Sequence, residues 1–141
     1  MKTNLRMCVG LAVLASALVL AACKSAGVPE TKEIESHRAA GLVISLSSEK
    51  GEHSRGQNRF VIAFRSAADN QPADVGTVVV SASMAMPGMA PMTAPIELEP
   101  AEEKGKYVAK GDFAMSGSFR FEVRWDGPAG KGSASFNSSV R

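Results

Sequence analysis

The chain has 141 residues, with 16 Lys and Arg, 14 Asp and Glu, and only two Cys. This length fits one ordinary domain. Because Lys2 and Arg6 lie at the N-terminus, the rest of the chain carries 14 basic and 14 acidic residues, and a neutral chain lacks the basic surface of a nucleic-acid-binding protein.

The N-terminus has the organisation of a secretory signal peptide. Lys2 and Arg6 precede an apolar run over residues 7–20, and small residues follow before Cys23. The run is shorter than the roughly 20 residues that a transmembrane helix needs, which favours a signal peptide over a membrane anchor. Its end, Leu-Ala-Ala-Cys at residues 20–23, resembles a bacterial lipobox. The resemblance implies removal of residues 1–22 and acylation of Cys23.

An acylated Cys23 predicts a location in the bacterial cell envelope, facing the periplasm. Several acyl chains hold a protein stably at a membrane, whereas one chain alone is marginal. Lys24 follows, at the position where Asp usually marks retention in the inner membrane, so the outer membrane is the expected site. With Cys8 removed and Cys23 acylated, no disulfide is available, and the core must be stable through packing alone.

Residues 23–40 are mostly polar and have no apolar stripe that would dock a helix. We predict that they form the lipidated N-terminus and a flexible tether. The folded domain is then expected over residues 41–141.

From Leu42 onward, apolar residues recur at every second position, which is the period of a β-strand. The clearest strand covers residues 119–125, and the others are expected near residues 42–47, 59–65, 77–82, 96–98, 106–110 and 134–140. About seven short strands, separated by turn residues, predict an all-β sandwich without a helix of ordinary length. Its expected buried side chains are Phe60, Ile62, Phe64, Val78, Val80, Phe121 and Val123.

A methionine-rich segment over residues 84–92 is the most unusual feature of the domain. Thioether sulfurs are soft ligands that select Cu(I), and they bind without losing a proton. Residues 86–89 read Met-Pro-Gly-Met, which predicts a type II turn that brings its first and fourth residues close together. Met86 and Met89 would then reach one ion, with Met92 on the same loop.

Packing is the competing explanation for these methionines, because methionine often fills gaps in a core. By strand alternation Met84 points inward, and we expect it to be a core residue. Met86 fits either role, whereas Met89 and Met92 favour exposure or binding. Met115, His37 and His53 are candidates for a further ligand, but each histidine lies in a polar stretch and is expected to be solvated.

Three short motifs occur in an order that points to a known family. The run Met-Pro-Gly-Met-Ala-Pro-Met at residues 86–92 precedes Gly-Lys-Tyr at 105–107 and Phe-Ala-Met-Ser-Gly-Ser-Phe at 113–119. This order resembles the FixH/YtkA-like family of membrane-associated extracytoplasmic domains, over residues 41–126. The resemblance implies an immunoglobulin-like sandwich. It also implies an association with copper export systems and with cytochrome oxidase assembly, where relatives occur.

Carried over by position, the resemblance implies four metal-ligating methionines: Met86, Met89, Met92 and Met115. The sequence departs from the family pattern at two places. Phe119 stands where Trp is usual, and Ala-Pro at residues 90–91 stands where many relatives have Gly-His. The second departure removes a histidine ligand.

Two functions are consistent with these features. The first is a lipid-anchored accessory protein that binds or handles Cu(I) and works with copper transport or oxidase assembly proteins. The second is a metal-free interaction lipoprotein whose methionine-rich loop is an apolar contact surface. We predict that the chain is not an enzyme, because it has no free Cys nucleophile and no Gly-x-Ser-x-Gly motif, and the pair Glu102 and Glu103 lies in a polar turn.

Overall fold

In the part of the chain that the structure describes, nine β-strands form two antiparallel sheets. A computed structural model describes residues 30–141, so the predicted lipobox and Cys23 lie outside the described residues. The strands are β1 (Lys32–Ala39), β2 (Leu42–Ser48), β3 (Gly56–Ser66), β4 (Thr77–Met84), β5 (Met92–Ala94), β6 (Ile96–Pro100), β7 (Lys106–Phe113), β8 (Gly117–Gly127) and β9 (Gly130–Val140). One sheet has the order β1-β2-β3-β7-β6, and the other has the order β5-β4-β8-β9. The predicted all-β sandwich is confirmed.

The core lies between the two sheets and is built from the alternating residues that the sequence indicated. In β8 the apolar positions are all buried, while the intervening Arg120 and Arg124 are exposed. Of the seven side chains expected in the core, five are fully buried: Phe60, Ile62, Phe64, Phe121 and Val123. Alternation therefore fixed which face of each central strand points inward.

Val78 and Val80 are only half-buried, in contrast to the prediction. Both point inward, opposite Trp125 and Val123 of β8. Strand β5 pairs only with residues 82–84, at one end of β4. The rest of β4 is therefore an edge strand, so its inward side chains lie beside an open margin of the sandwich.

The predicted tether over residues 23–40 is wrong for residues 32–39, because these form β1 at the edge of the first sheet. This strand pairs with β2 along its length, with a bulge between Glu33 and Glu35. Its side chains are exposed or half-buried on both faces, so they carry no period-two pattern. Backbone pairing stabilises this strand, and such pairing leaves no mark in side-chain hydropathy.

Strand β5 is the second element that the sequence did not predict. It has only three residues, too few to show a period. Pro95 separates it from β6, which belongs to the other sheet. The chain therefore changes sheets at this proline and helps to close one side of the sandwich.

Phe121→Ala should lower the free energy of unfolding by about 3–5 kcal/mol, the range for emptying a buried aromatic position. The ring is fully buried and contacts the rings of Phe60 and Phe113. Val79→Ala is the control, because Val79 is 59% exposed on the outer face of the same sheet. It should cost less than about 1 kcal/mol. Urea unfolding followed by Trp125 fluorescence measures both, and equal losses would contradict the assigned core.

Candidate functional site

One end of the sandwich brings together the methionines and His53. The segments that meet there are the β2–β3 loop (49–55), the β4–β5 loop (85–91), the β7–β8 loop (114–116) and the end of β9. Their positions follow from strand pairing: Met84 lies opposite Met92, Gly56 opposite Phe113, Gly117 opposite Val140, and His53 forms a bridge with Val140. We call this region the methionine end.

The predicted turn at residues 86–89 is present. The Met89 amide donates a hydrogen bond to the Met86 carbonyl oxygen at 3.1 Å. Gly88 has φ +72°, the left-handed conformation that a type II turn needs at its third residue and that glycine adopts without strain. Local sequence chemistry therefore brings the backbones of Met86 and Met89 together.

Met84 and Met92 are brought together by sheet pairing, since they are directly opposed in the β4–β5 ladder. Opposed residues in an antiparallel pair have Cβ atoms about 4.5–5.5 Å apart, within reach of long side chains. The Met84 sulfur fills the space beside Gly117, where any side chain would collide with it. Met84 is thus packed against the core, as predicted. Gly117, which its sulfur contacts, lies two residues after Met115 in the chain.

The four candidate ligands differ in exposure. Met89 is 69% exposed and Met115 is 39% exposed, whereas Met86 and Met92 are half-buried. All four lie at the methionine end, three of them on or beside a single loop. The structure therefore brings the sequence-predicted site residues to one end of the sandwich, where Met92 is opposed to Met84.

His53 was predicted to be solvated, and this prediction is wrong because its side chain is fully buried. Its ring lies 5.1 Å from the Phe60 and Phe121 ring centroids and 5.6 Å from that of Phe113. Neither ring nitrogen has a hydrogen-bond partner among the described residues. This apolar surrounding disfavours the charged form and lowers the pKa of His53 from 6.5 to about 4.

Non-local backbone contacts hold His53 in this position. The Arg141 amide donates to the His53 carbonyl oxygen at 3.0 Å, and the Arg55 amide donates to the Arg141 carbonyl oxygen at 2.7 Å. In both bonds the partner, Arg141, is more than 80 residues away in sequence. The loop around His53 is polar, so the sequence alone held no signal of its burial. His37, the other nitrogen candidate, is exposed on β1, away from the loops of the methionine end.

The described residues contain no cluster of the nitrogen, thiolate or carboxylate ligands that bind most metal ions. Across residues 30–141, no group of three or more His, Cys, Asp or Glu side chains is arranged to hold an ion. Over the same residues, no helix is long and apolar enough to span a bilayer. The sulfur atoms at the methionine end are therefore the soft donors that the described surface presents.

Comparison with known proteins agrees with this architecture. The model of the YtkA-like family matches residues 36–124, more than half of the chain. The chain belongs to the YtkA-like family. No curated protein matches its sequence. The matched region includes the whole methionine-rich loop and Met115, and it begins within β1 rather than at residue 41.

Solved structures resemble this YtkA-like domain in fold. A DUF4426 family protein from Pseudomonas aeruginosa PAO1 is 16% identical, with a TM-score of 0.52, covering 75% of this chain and 96% of that one. FetP of uropathogenic E. coli strain F11 is 10% identical, with a TM-score of 0.46, covering 78% of this chain and 95% of that one. At such low identity, the first of these likenesses supports the sandwich fold alone.

The buried His53 should make the stability of the domain depend on pH. Its pKa is about 4 in the folded state and 6.5 in the unfolded state, so the unfolded chain binds the extra proton between these values. The free energy of unfolding should therefore fall by about 3 kcal/mol as the pH drops from above 6.5 to about 4, and this contribution should level off below that.

Urea unfolding at a series of pH values measures this dependence. His53→Leu should remove this part of it and should be at least as stable at pH 7, because a buried ring without hydrogen bonds is replaced by an apolar side chain. His37→Gln, at the exposed histidine, is the control and should keep the wild-type slope. A His53→Leu variant with an unchanged slope would show that other groups cause the dependence.

Proposed function

We propose that this YtkA-like protein is a lipid-anchored protein of the bacterial envelope that binds Cu(I) through the methionine end. The site would use Met86 and Met89 with support from Met92 and Met115. The role is binding or handling of the ion, without catalysis. Copper transport or oxidase assembly proteins are the partners that this role implies.

The gathering of several methionines at one end of the sandwich is the observation that supports the proposal. Local turn geometry joins Met86 to Met89, and the β4–β5 ladder places Met92 against the packed Met84. Uncharged sulfur donors match the preference of monovalent copper, and they need no deprotonation. A site made of thioethers alone would discriminate against Zn²⁺ and Mg²⁺, which prefer nitrogen, thiolate or oxygen ligands.

His53 supports the choice of oxidation state by its position. Its imidazole is fully buried among phenyl rings, so it is not presented on the surface. Cu(II) favours nitrogen and oxygen ligands, whereas Cu(I) accepts thioethers. The donor set on the surface therefore favours Cu(I).

The competing function, a metal-free contact surface, has its own support in the exposure of Met89 and Met115. Exposed methionines suit flexible, polarizable contacts with a partner. Both functions use the same residues, so an experiment must distinguish the effect of side-chain size from the effect of the sulfur atom. Replacing Met by Leu does this, because it keeps size and apolarity and removes the sulfur.

The acylated chain, or the chain from residue 24 onward, should bind one Cu(I) in competition with a chromophoric chelator under anaerobic, reducing conditions. Met86→Leu/Met89→Leu should weaken binding about tenfold or more, which corresponds to at least about 1.4 kcal/mol. Met84→Leu is the control, because this sulfur is packed beside Gly117, and it should retain most of the affinity. Equal affinity in the double variant, or no binding beyond that of free methionine, would favour the contact surface.

The lipid anchor is tested separately by mass spectrometry of the protein purified from membranes. We expect a chain that begins at Cys23 and carries the mass of the acyl groups. Cys23→Ser should abolish this modification and move the protein to the soluble fraction. An intact N-terminus, or unchanged fractionation of Cys23→Ser, would contradict the anchor.

A further inference from the structure

The chain enters the sandwich at the methionine end. Strand β1 begins at Lys32, which pairs with Ser48, the last residue of β2. The next loop carries His53, and the Lys32 side chain packs against Gly51 of that loop. The N-terminal segment that precedes β1 therefore joins the domain beside the methionine loops, at the opposite end from the turns at residues 67–71 and 127–130.

The distance between the proposed anchor and the domain is short. Eight residues, 24–31, separate Cys23 from β1. Fully extended, they span at most about 28 Å. The longest strands, β3, β8 and β9, have 11 residues each, which corresponds to about 36 Å. The tether is thus too short to run along the sandwich and place its far end on the membrane.

The surface that the tether holds toward the membrane is apolar. Residues 81–96 contain no charged side chain, and the loop within them exposes Pro87, Met89 and Ala90. Met115 adds a second exposed methionine from the neighbouring loop. The exposed residues around this loop include both signs of charge, such as Glu49 and Lys50. The apolar loop itself is therefore the part of this surface that suits a contact with lipid.

We infer that the methionine end contacts the lipid bilayer in which Cys23 is anchored, with Met89 at the boundary between lipid and water. The inference rests on the proposed anchor at Cys23 and is independent of copper. Apolar side chains on a surface held at a bilayer gain free energy by leaving water for the headgroup and acyl region. The occupant of this surface is therefore the lipid itself.

A single labelled thiol tests the contact. The acylated chain has no free thiol, because Cys8 is removed and the Cys23 sulfur carries lipid, so Met89→Cys supplies one reactive position. The acylated variant is labelled with a fluorophore and placed in phosphatidylethanolamine and phosphatidylcholine vesicles whose acyl chains are brominated. Ala68→Cys is the matched control, since Ala68 is exposed in the turn at the far end.

Bromine quenches the fluorophore only at short range, so we expect quenching at position 89 to be at least about threefold stronger than at position 68. Met115→Cys should behave like position 89. Equal quenching at positions 89 and 68, with Cys23 acylated by mass, would overturn the lipid contact and leave the anchor standing. If the purified chain carries no acyl groups, both the anchor at Cys23 and the lipid contact that rests on it are wrong. A third outcome is that brominated lipid does not quench the label at position 89 in vesicles, while the same label is shielded from iodide in native membranes. That result would overturn the lipid contact and indicate that a membrane protein covers this surface.

Discussion

Packing of aromatic rings between the two sheets is the interaction on which the rest of the structure depends. Residues 30–141 contain no Cys, so no disulfide joins the sheets there. Instead, Phe60 and Phe113 of the first sheet meet Phe119 and Phe121 of the second, with ring centroids 5.0–5.8 Å apart. Such contacts add about 0.5–1.5 kcal/mol per pair beyond the burial of area. This cluster lies directly under the methionine end, so it also supports the loops that present the sulfurs.

His53 is the exception within that cluster. A buried polar group without hydrogen bonds costs about 1–3 kcal/mol, yet the ring stays among the phenyl rings. Its backbone explains this, because residue 53 pairs with the end of β9 through Arg141 and Val140. The segment is fixed by these main-chain bonds, and the side chain must then point into the core. These bonds join the β2–β3 loop to the second sheet, so the loop covers the core at the methionine end.

The difference between what the sequence predicted and what it missed follows the range of the interactions. Alternation in β8 and the Met-Pro-Gly-Met turn depend on neighbours in the chain, and both were predicted correctly. The burial of His53 depends on a partner more than 80 residues away. Strand β1 and the Met84–Met92 pairing depend on backbone bonds between neighbouring strands. Hydropathy records whether a side chain favours water, and it does not record which edge of a sheet accepts another strand. The turn that carries Met86 and Met89 was therefore predictable, whereas the packing beneath it was not.

Strand β1 has the largest consequence of these for function. A tether of residues 23–40 would let the domain move freely above a membrane and face it in any direction. Once residues 32–39 pair with β2, only eight residues remain between Cys23 and the sheet, and they join it beside the methionine loops. A short link attached at one end of an elongated body restricts its orientation as well as its distance. With the proposed anchor at Cys23, this edge strand would hold the sulfur donors near the membrane surface and would point the far end of the sandwich into the periplasm.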